Sequence, residues 1–355
     1  MSNIRILAID VGGGTQDILL YEEDKPAENS VKLILPSQTR IIANRIARIT
    51  QGRKAIFLKG NLMGGGSCVM AIKNHINAGF EVFATELAAK TIHDNLIRVK
   101  EMGIKIVIEP PKEAISVVLG DIDLIALKKA LSYFDIELPR NFAVAVQDHG
   151  ECIDGSNRKF RFQHWQEFLQ NDGQISHLAY QTPPRYLTRM IAVKRDLLDA
   201  IVMDTCTAGI LGALCDPLIE KENTKGVVIV NIGNQHTVAA LVKDSKMLGL
   251  FEHHSGSMTP KKLENYIHRL LEGTLTNEEV FEDGGHGCFI QPCFSPGNGF
   301  DLISVTGPKR GLAEGLGYYF AVPYGDMMLT GCFGLVKAAM EFLVKTKKRK
   351  GDAKN

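Results

Sequence analysis

Asp10, Gly12, Gly13, Gly14 and Thr15, followed by Gln16, stand between two apolar runs, Leu7 to Ile9 and Ile18 to Tyr21. The flanks predict strands and the middle a tight hairpin turn. Glycines let such a turn take φ > 0 and bring bare N–H groups close to a ligand. Successive N–H groups of that kind form a concave anion site. Asp10, at the strand end, is placed to hold Mg2+ or a water beside the anion. The set predicts a phosphate site with a metal-holding acid; the alternative is an ordinary glycine-rich hairpin.

A second constellation lies between Phe251 and Cys288, where His253, His254 and His286 occur in glycine-rich stretches with Glu252, Asp283 and Cys288. Imidazole and thiolate suit Zn2+ or Fe2+, with a carboxylate completing the site. Their spacing matches no standard structural zinc site, and the alternative is that they order loops over a cleft. His149, next to Asp148, could join either arrangement. Asp148 follows the apolar run Phe142 to Val146, and a strand-end carboxylate there could accept a proton from a substrate hydroxyl. Residues 152–190 read as polar, aromatic and irregular, and carry Arg158, Arg161, Arg185 and Arg189. These arginines read as surface pairs, with the grip of an anionic substrate as the alternative.

The 355 residues exceed what one core usually covers, so two domains are expected. Apolar content of 45% and charged content of 23% are those of a globular protein. A net charge of +1 gives no general attraction to nucleic acid or anionic membrane. Without an apolar run of about 18 residues or a signal peptide, the expectation is a cytoplasmic protein. Seven widely spaced cysteines suit reduced thiols and contain no CxxC pair. Residues 346–355, rich in lysine, predict a disordered basic tail.

Strand and helix signals alternate from residue 31 to 146, including a helix over 86–100, which predicts a mostly parallel α/β sheet. The loop from Gly60 to Ser67 approaches the P-loop pattern, but Gly66 stands where the lysine should be. Its readings are a glycine-rich turn lining a cleft or simple close packing of the backbone. Then Val227 to Val242 repeats the opening: apolar strand, polar residue, glycine turn with Gly233, Asn234, Gln235, His236 and Thr237, apolar strand. A repeat about 220 residues on predicts a second domain built like the first. A third turn holds Thr306, Gly307, Pro308, Lys309 and Arg310.

In this order the motifs resemble the actin, Hsp70 and sugar-kinase superfamily. Asp10 to Asp17 resembles the first phosphate motif, Asp204 to Leu214 the connecting helix, Asn231 to Thr237 the second phosphate motif, and Thr306 to Arg310 the adenosine motif. The resemblance implies two ribonuclease H-like lobes around Mg-ATP, with an α/β insertion at about 55–140 in a first lobe of residues 1–200 and a second lobe over 201–345. It implies that Asp10 positions Mg2+, and that Gly12 to Thr15 and Gly233 to Thr237 clasp the phosphates. Gly307, Lys309 and Arg310 would then lie by the nucleoside, and Asp204 would match the Hsp70 glutamate that orders metal and water. Asn231 departs from the usual Asp, so two carboxylates facing Mg2+ become one. More narrowly, the chain resembles a prokaryotic family labelled pyruvate formate-lyase activating enzyme. That activity needs a CxxxCxxC cluster motif, which these cysteines do not supply. The functional expectations are an ATPase whose lobe closure drives a partner protein, a small-molecule kinase, a nucleotide- or metal-binding module with little turnover, and, last, a metal hydrolase.

Overall fold

The computed structural model describes residues 3–297 and 299–352. Strand β1 (Arg5–Val11) turns back through β2 (Thr15–Glu22) to β3 (Val31–Pro36) as an antiparallel meander. Four short strands follow: β4 (Ile56–Gly60), β5 (Val82–Ala84), β6 (Ile104–Ile106) and β7 (Ile115–Leu119). They form a separate parallel sheet in the order β6-β5-β4-β7, with its own apolar core around Ile56, Leu58 and Val82. The chain then rejoins the first sheet through β8 (Asn141–Val146), β9 (Ala179–Tyr180) and β10 (Ile201–Met203). Its order is β3-β2-β1-β8-β10-β9, with β8 parallel to both β1 and β10.

The second half repeats this plan. Strands β11 (Val227–Ile232), β12 (His236–Lys243) and β13 (Lys246–His254) form the meander, and β14 (Gly287–Ile290) extends it. Strands β15 (Leu302–Thr306) and β16 (Tyr319–Phe320) add in parallel beside β11, giving β14-β13-β12-β11-β15-β16. In both sheets the first hairpin strand is flanked by its own return on one side and by parallel strands on the other. The fold is therefore α/β with two ribonuclease H-like lobes, a cleft between them, and an α/β insertion in the first.

Continuous apolar strands such as Val227 to Val230 are buried on both faces. The inner faces share one core: Ala8, Leu19 and Ala145 of the first sheet join Ile229 and Ala240 of the second through Ile210 and Leu335. Those last two lie on the helix Thr205–Ala213 and on the C-terminal helix Thr330–Asp352. The helices touch backbone to backbone. A Cβ on Gly212 would lie 1.7 Å from Thr330 O, and one on Gly334 2.0 Å from Ala208 O. The C-terminal helix covers the first sheet, where the Cys332 thiol donates to Asp17 O at 3.0 Å.

Three local expectations change. The segment 152–190 is not irregular throughout, because Ser156 caps a helix over Asn157–Gln170. That helix buries Arg161 beside Phe162, Trp165 and Leu169, so its inner face does not read as apolar. The helix expected over 86–100 is two short ones, Glu86–Ala89 and Leu96–Glu101, each with its own side-chain cap, Thr85 and Asn95. The C-terminal helix takes in residues 346–352 of the expected tail, while 353–355 lie outside the described residues. Among the described residues no helix is long and apolar enough to cross a membrane.

Candidate functional site

The two glycine turns close in the same way, Gly12 N–H donating to Thr15 O and Gly233 N–H to His236 O, both at 2.9 Å. They face each other across the cleft. A Cβ on Gly13 would lie 2.7 Å from the Gln235 side chain, and one on Gly14 2.6 Å from that of Asn234. None of Gly12, Gly13, Gly14 or Gly233 takes a positive φ. The expectation that these glycines serve left-handed backbone is corrected: they allow two turns to approach. The third turn does need its glycine, since Gly307 has φ +100° and lets Lys309 N–H reach Ile232 O at 3.0 Å.

Asp10 ends β1 at the floor of this cleft and accepts a hydrogen bond from Thr205 Oγ1 at 2.5 Å. Asp17 is its register partner across the hairpin and so points to the same face. Burial, with Asp17 and Asp204 nearby, lifts the Asp10 carboxyl to about 8 against the help of Thr205. Burial likewise lifts Asp17 to about 7, and its Oδ1 is buried without a hydrogen-bond partner. Asp10, Asp17, Asn231, Asn234, Gln235 and Thr306 line a cavity of about 90 Å³. That is below the roughly 300–1,000 Å³ of a typical small-molecule site.

Several expected site residues lie elsewhere. Gln16 is buried and donates to Pro36 O, and Thr237 bonds Ser255 Oγ at 2.9 Å. Lys309 and Arg310 are not among the residues lining the cavity. Asp204 caps the Thr205–Ala213 helix and pairs with Arg161 at 2.8 Å. Arg161, itself buried, spans from Asp204 to Glu252, also at 2.8 Å, and Trp165 Nε1 donates to Glu252 at 3.0 Å. Burial raises the Glu252 carboxyl but Arg161 outweighs it, holding Glu252 well below the usual range. Asp148 accepts the backbone N–H groups of Gly150 and Met190, each at 2.9 Å. Burial, opposed by those bonds, lifts it to about 6. Of the four arginines only Arg185 is exposed; Arg189 pairs with Asp121, and Arg158 donates to Phe281 O and Gly285 O.

The histidines regroup. Strand alternation turns His253 to the far side of β13, where its Nε2 meets Asp283 at 3.1 Å beside Lys262 and Tyr266. His254, one residue on, faces its register partner His236, with ring centroids 4.9 Å apart. His286 lies 4.9 Å from His254 and 5.0 Å from His236, and its Nε2 is 3.3 Å from His149 Nε2. One ring nitrogen from each of His149, His236 and His286 lies within 4.8 Å of the others. Burial pushes His236 down to about 3 and His286 to about 4, and His149 well below its ordinary value. These imidazoles are neutral near pH 7. His149, His254 and His286 also line a second cavity of about 400 Å³, with Arg158, Arg189 and the glycine-rich turn Gly64 to Gly66. The two cavities share Gly12, Gly13, Gln147, Thr205 and Gln235.

Asp17 was not singled out as a site residue, and Glu252 was expected only as a carboxylate of the histidine constellation, not as the partner of Arg161. Both were marked by strand alternation, Asp17 as the partner of Asp10 and Glu252 as the residue two before His254.

Comparison with solved structures finds matches over most of the chain at low identity. A Bacteroides thetaiotaomicron protein with actin-like ATPase fold and unknown function aligns over 93% of this chain and 95% of its own, at 8% identity and TM-score 0.37. Ethanolamine utilization protein EutJ from Carboxydothermus hydrogenoformans aligns over 94% and 90%, at 9% identity and TM-score 0.34. Apo psk41 ParM aligns over 98% and 99%, at 10% identity and TM-score 0.34. No curated protein matches the chain. The family model described as "Putative pyruvate format-lyase activating enzyme (DUF1786)" matches residues 63–312, more than half of the sequence, and the chain belongs to that family.

Proposed function

We propose that this protein binds a magnesium nucleotide between its lobes and hydrolyses it as the lobes close. The observation that carries the reading is the pair of facing glycine turns over two half-buried carboxylates, one with an unpartnered oxygen. Asp10 and Asp17 fit a divalent cation, which takes oxygen ligands and relieves the burial of both acids. Asp17 thereby supplies the second carboxylate that Asn231 withholds. Bound Mg2+ would neutralise phosphate charge. The chain's own part is to orient Asp10 through Thr205 and to bring the two turns onto the phosphates from opposite lobes.

Asp204 is engaged by Arg161, and its role in this reading is to fix the connecting helix. The kinase alternative draws less support, since both Asp148 oxygens are anchored by backbone N–H groups. The label of the family finds no support in a cysteine site. Among the described residues the cluster of His, Cys, Asp or Glu able to hold a metal is formed by histidines alone.

The test is thermal melting with Mg-ATP, Mg-ADP and no nucleotide, followed by phosphate release. Ligand at 100 times its dissociation constant stabilises by roughly 2.7 kcal/mol. Unfolding entropy of about 2.1 cal/mol/K per residue over 355 residues makes that a rise of about 3–4 °C. Gly233→Val, which crowds His236 O, should abolish it. No rise at millimolar Mg-nucleotide refutes the reading; a rise without phosphate release keeps binding and removes hydrolysis.

A further inference from the structure

We infer that His149, His236 and His286 form a site for one transition-metal ion that bridges the two lobes, with His254 beside it. His149 follows β8 of the first lobe, whereas His236 and His286 come from the second. The inference stands whether or not a nucleotide occupies the neighbouring cavity.

Four observations carry it. The ligand atoms already converge. Zn–N bonds of about 2.0–2.1 Å at tetrahedral angles separate two nitrogens by roughly 3.3 Å, and His149 Nε2 lies 3.3 Å from His286 Nε2. Second, both ring nitrogens of His236 and Nδ1 of His286 are buried without a hydrogen-bond partner. His236 is 9% exposed and His286 1%. Each such orphan costs about 1–3 kcal/mol, and a metal bond to one ring nitrogen of His236 removes one of these penalties. Third, a buried carboxylate, Glu252, stands beside the histidines, with the guanidinium groups of Arg161 and Arg158 also near. Glu252 shares its strand face with His254, and its backbone O accepts from His286 N–H at 2.8 Å.

Fourth, the donor set selects the ion. Neutral imidazoles suit Zn2+, Fe2+, Co2+ or Ni2+, whereas Mg2+ and Ca2+ take oxygen ligands. Three histidines leave a fourth position for water or substrate, and His149 and His286 line the 400 Å³ cavity. His253, committed to Asp283 and 6.5 Å from His254 between ring centroids, stands outside the set.

The experiment uses Co2+ as the probe on the full chain stripped with a chelator and dialysed without nucleotide. One equivalent should give the visible d–d bands of a low-coordinate nitrogen site, and Zn2+ should bleach them. His149→Ala and His236→Ala, one from each lobe, should each weaken Co2+ binding by more than the roughly 10–100-fold cost of outer-shell changes. His253→Asn should leave the bands unchanged. Circular dichroism confirms that each variant is folded, and should one fail, the other still decides. Absence of the bands and of Zn2+ binding heat in the unsubstituted protein overturns the inference, as does a spectrum that survives both substitutions.

Discussion

Asp10→Asn isolates the cost of holding a carboxylate at the floor of the cleft. Asparagine keeps the shape of the protonated acid and still accepts from Thr205 Oγ1. Burial lifts Asp10 from 3.8 to about 8. The folded chain therefore binds this proton more tightly than the unfolded chain does. The contribution to stability is complete below pH 3.8 and is lost as pH rises to about 8. Each tenfold change in proton affinity is worth about 1.4 kcal/mol, so the loss by pH 8 is on the order of 5 kcal/mol. Spread over the unfolding entropy of a chain this long, that is about 7 °C. Metal-free melting from pH 4 to pH 9 should show the Asp10→Asn variant level with the parent at pH 4. The advantage of the variant should then widen steadily and flatten above pH 8. Added Mg2+ should narrow the gap at pH 8 by stabilising only the parent. A variant that melts no higher at pH 8 than the parent, or a gap independent of pH, refutes the placement of Asp10 as a desolvated, destabilising acid.

Arg161→Met strands Asp204 and Glu252 as buried carboxylates without their cation, and should cost about 3–5 kcal/mol in urea unfolding. A loss below about 1 kcal/mol would mean that the network is open to water. Gly212→Ala drives a methyl into Thr330 O, a backbone atom that cannot step aside, and should lower stability by about 1–3 kcal/mol or more; an unchanged melting temperature would exclude the tight helix crossing. Cys293 is the exposed thiol, and Cys68, Cys206, Cys288 and Cys332 are buried. A thiol reagent should therefore label Cys293 first and those four only on unfolding, as peptide mass mapping over time would show.

The lobes were legible because their signature is local and occurs twice. Strand, glycine turn and strand fall within sixteen residues at both Leu7 and Val227, and each hairpin fixes its own neighbours. The partners of that signature were harder to read. Asp17 is a single acid at the head of an apolar run, and only the hairpin closed between Gly12 and Thr15 pairs it with Asp10. His253 and His254 look alike in sequence, yet alternation along β13 sends them to opposite faces. Arg161 and Glu252, 91 residues apart, announce nothing singly. A buried ion pair is visible only once the helix Asn157–Gln170 has been laid against β13. The histidine group is non-local in the same way, since His149 and His286 are 137 residues apart and meet through the packing of the lobes.

The C-terminal helix has a consequence for how the chain is made. It follows the second sheet in sequence but covers the first, against Ala8, Leu19 and Ala145. Until residues 330–340 have left the ribosome, the sheet begun by the first dozen residues has an uncovered apolar face. Lobe-by-lobe maturation during synthesis, the usual course for chains of this size, is closed to it. The nascent first lobe waits, sticky and incomplete, through the translation of the whole second one. Docking of that helix should complete the cover of both halves together.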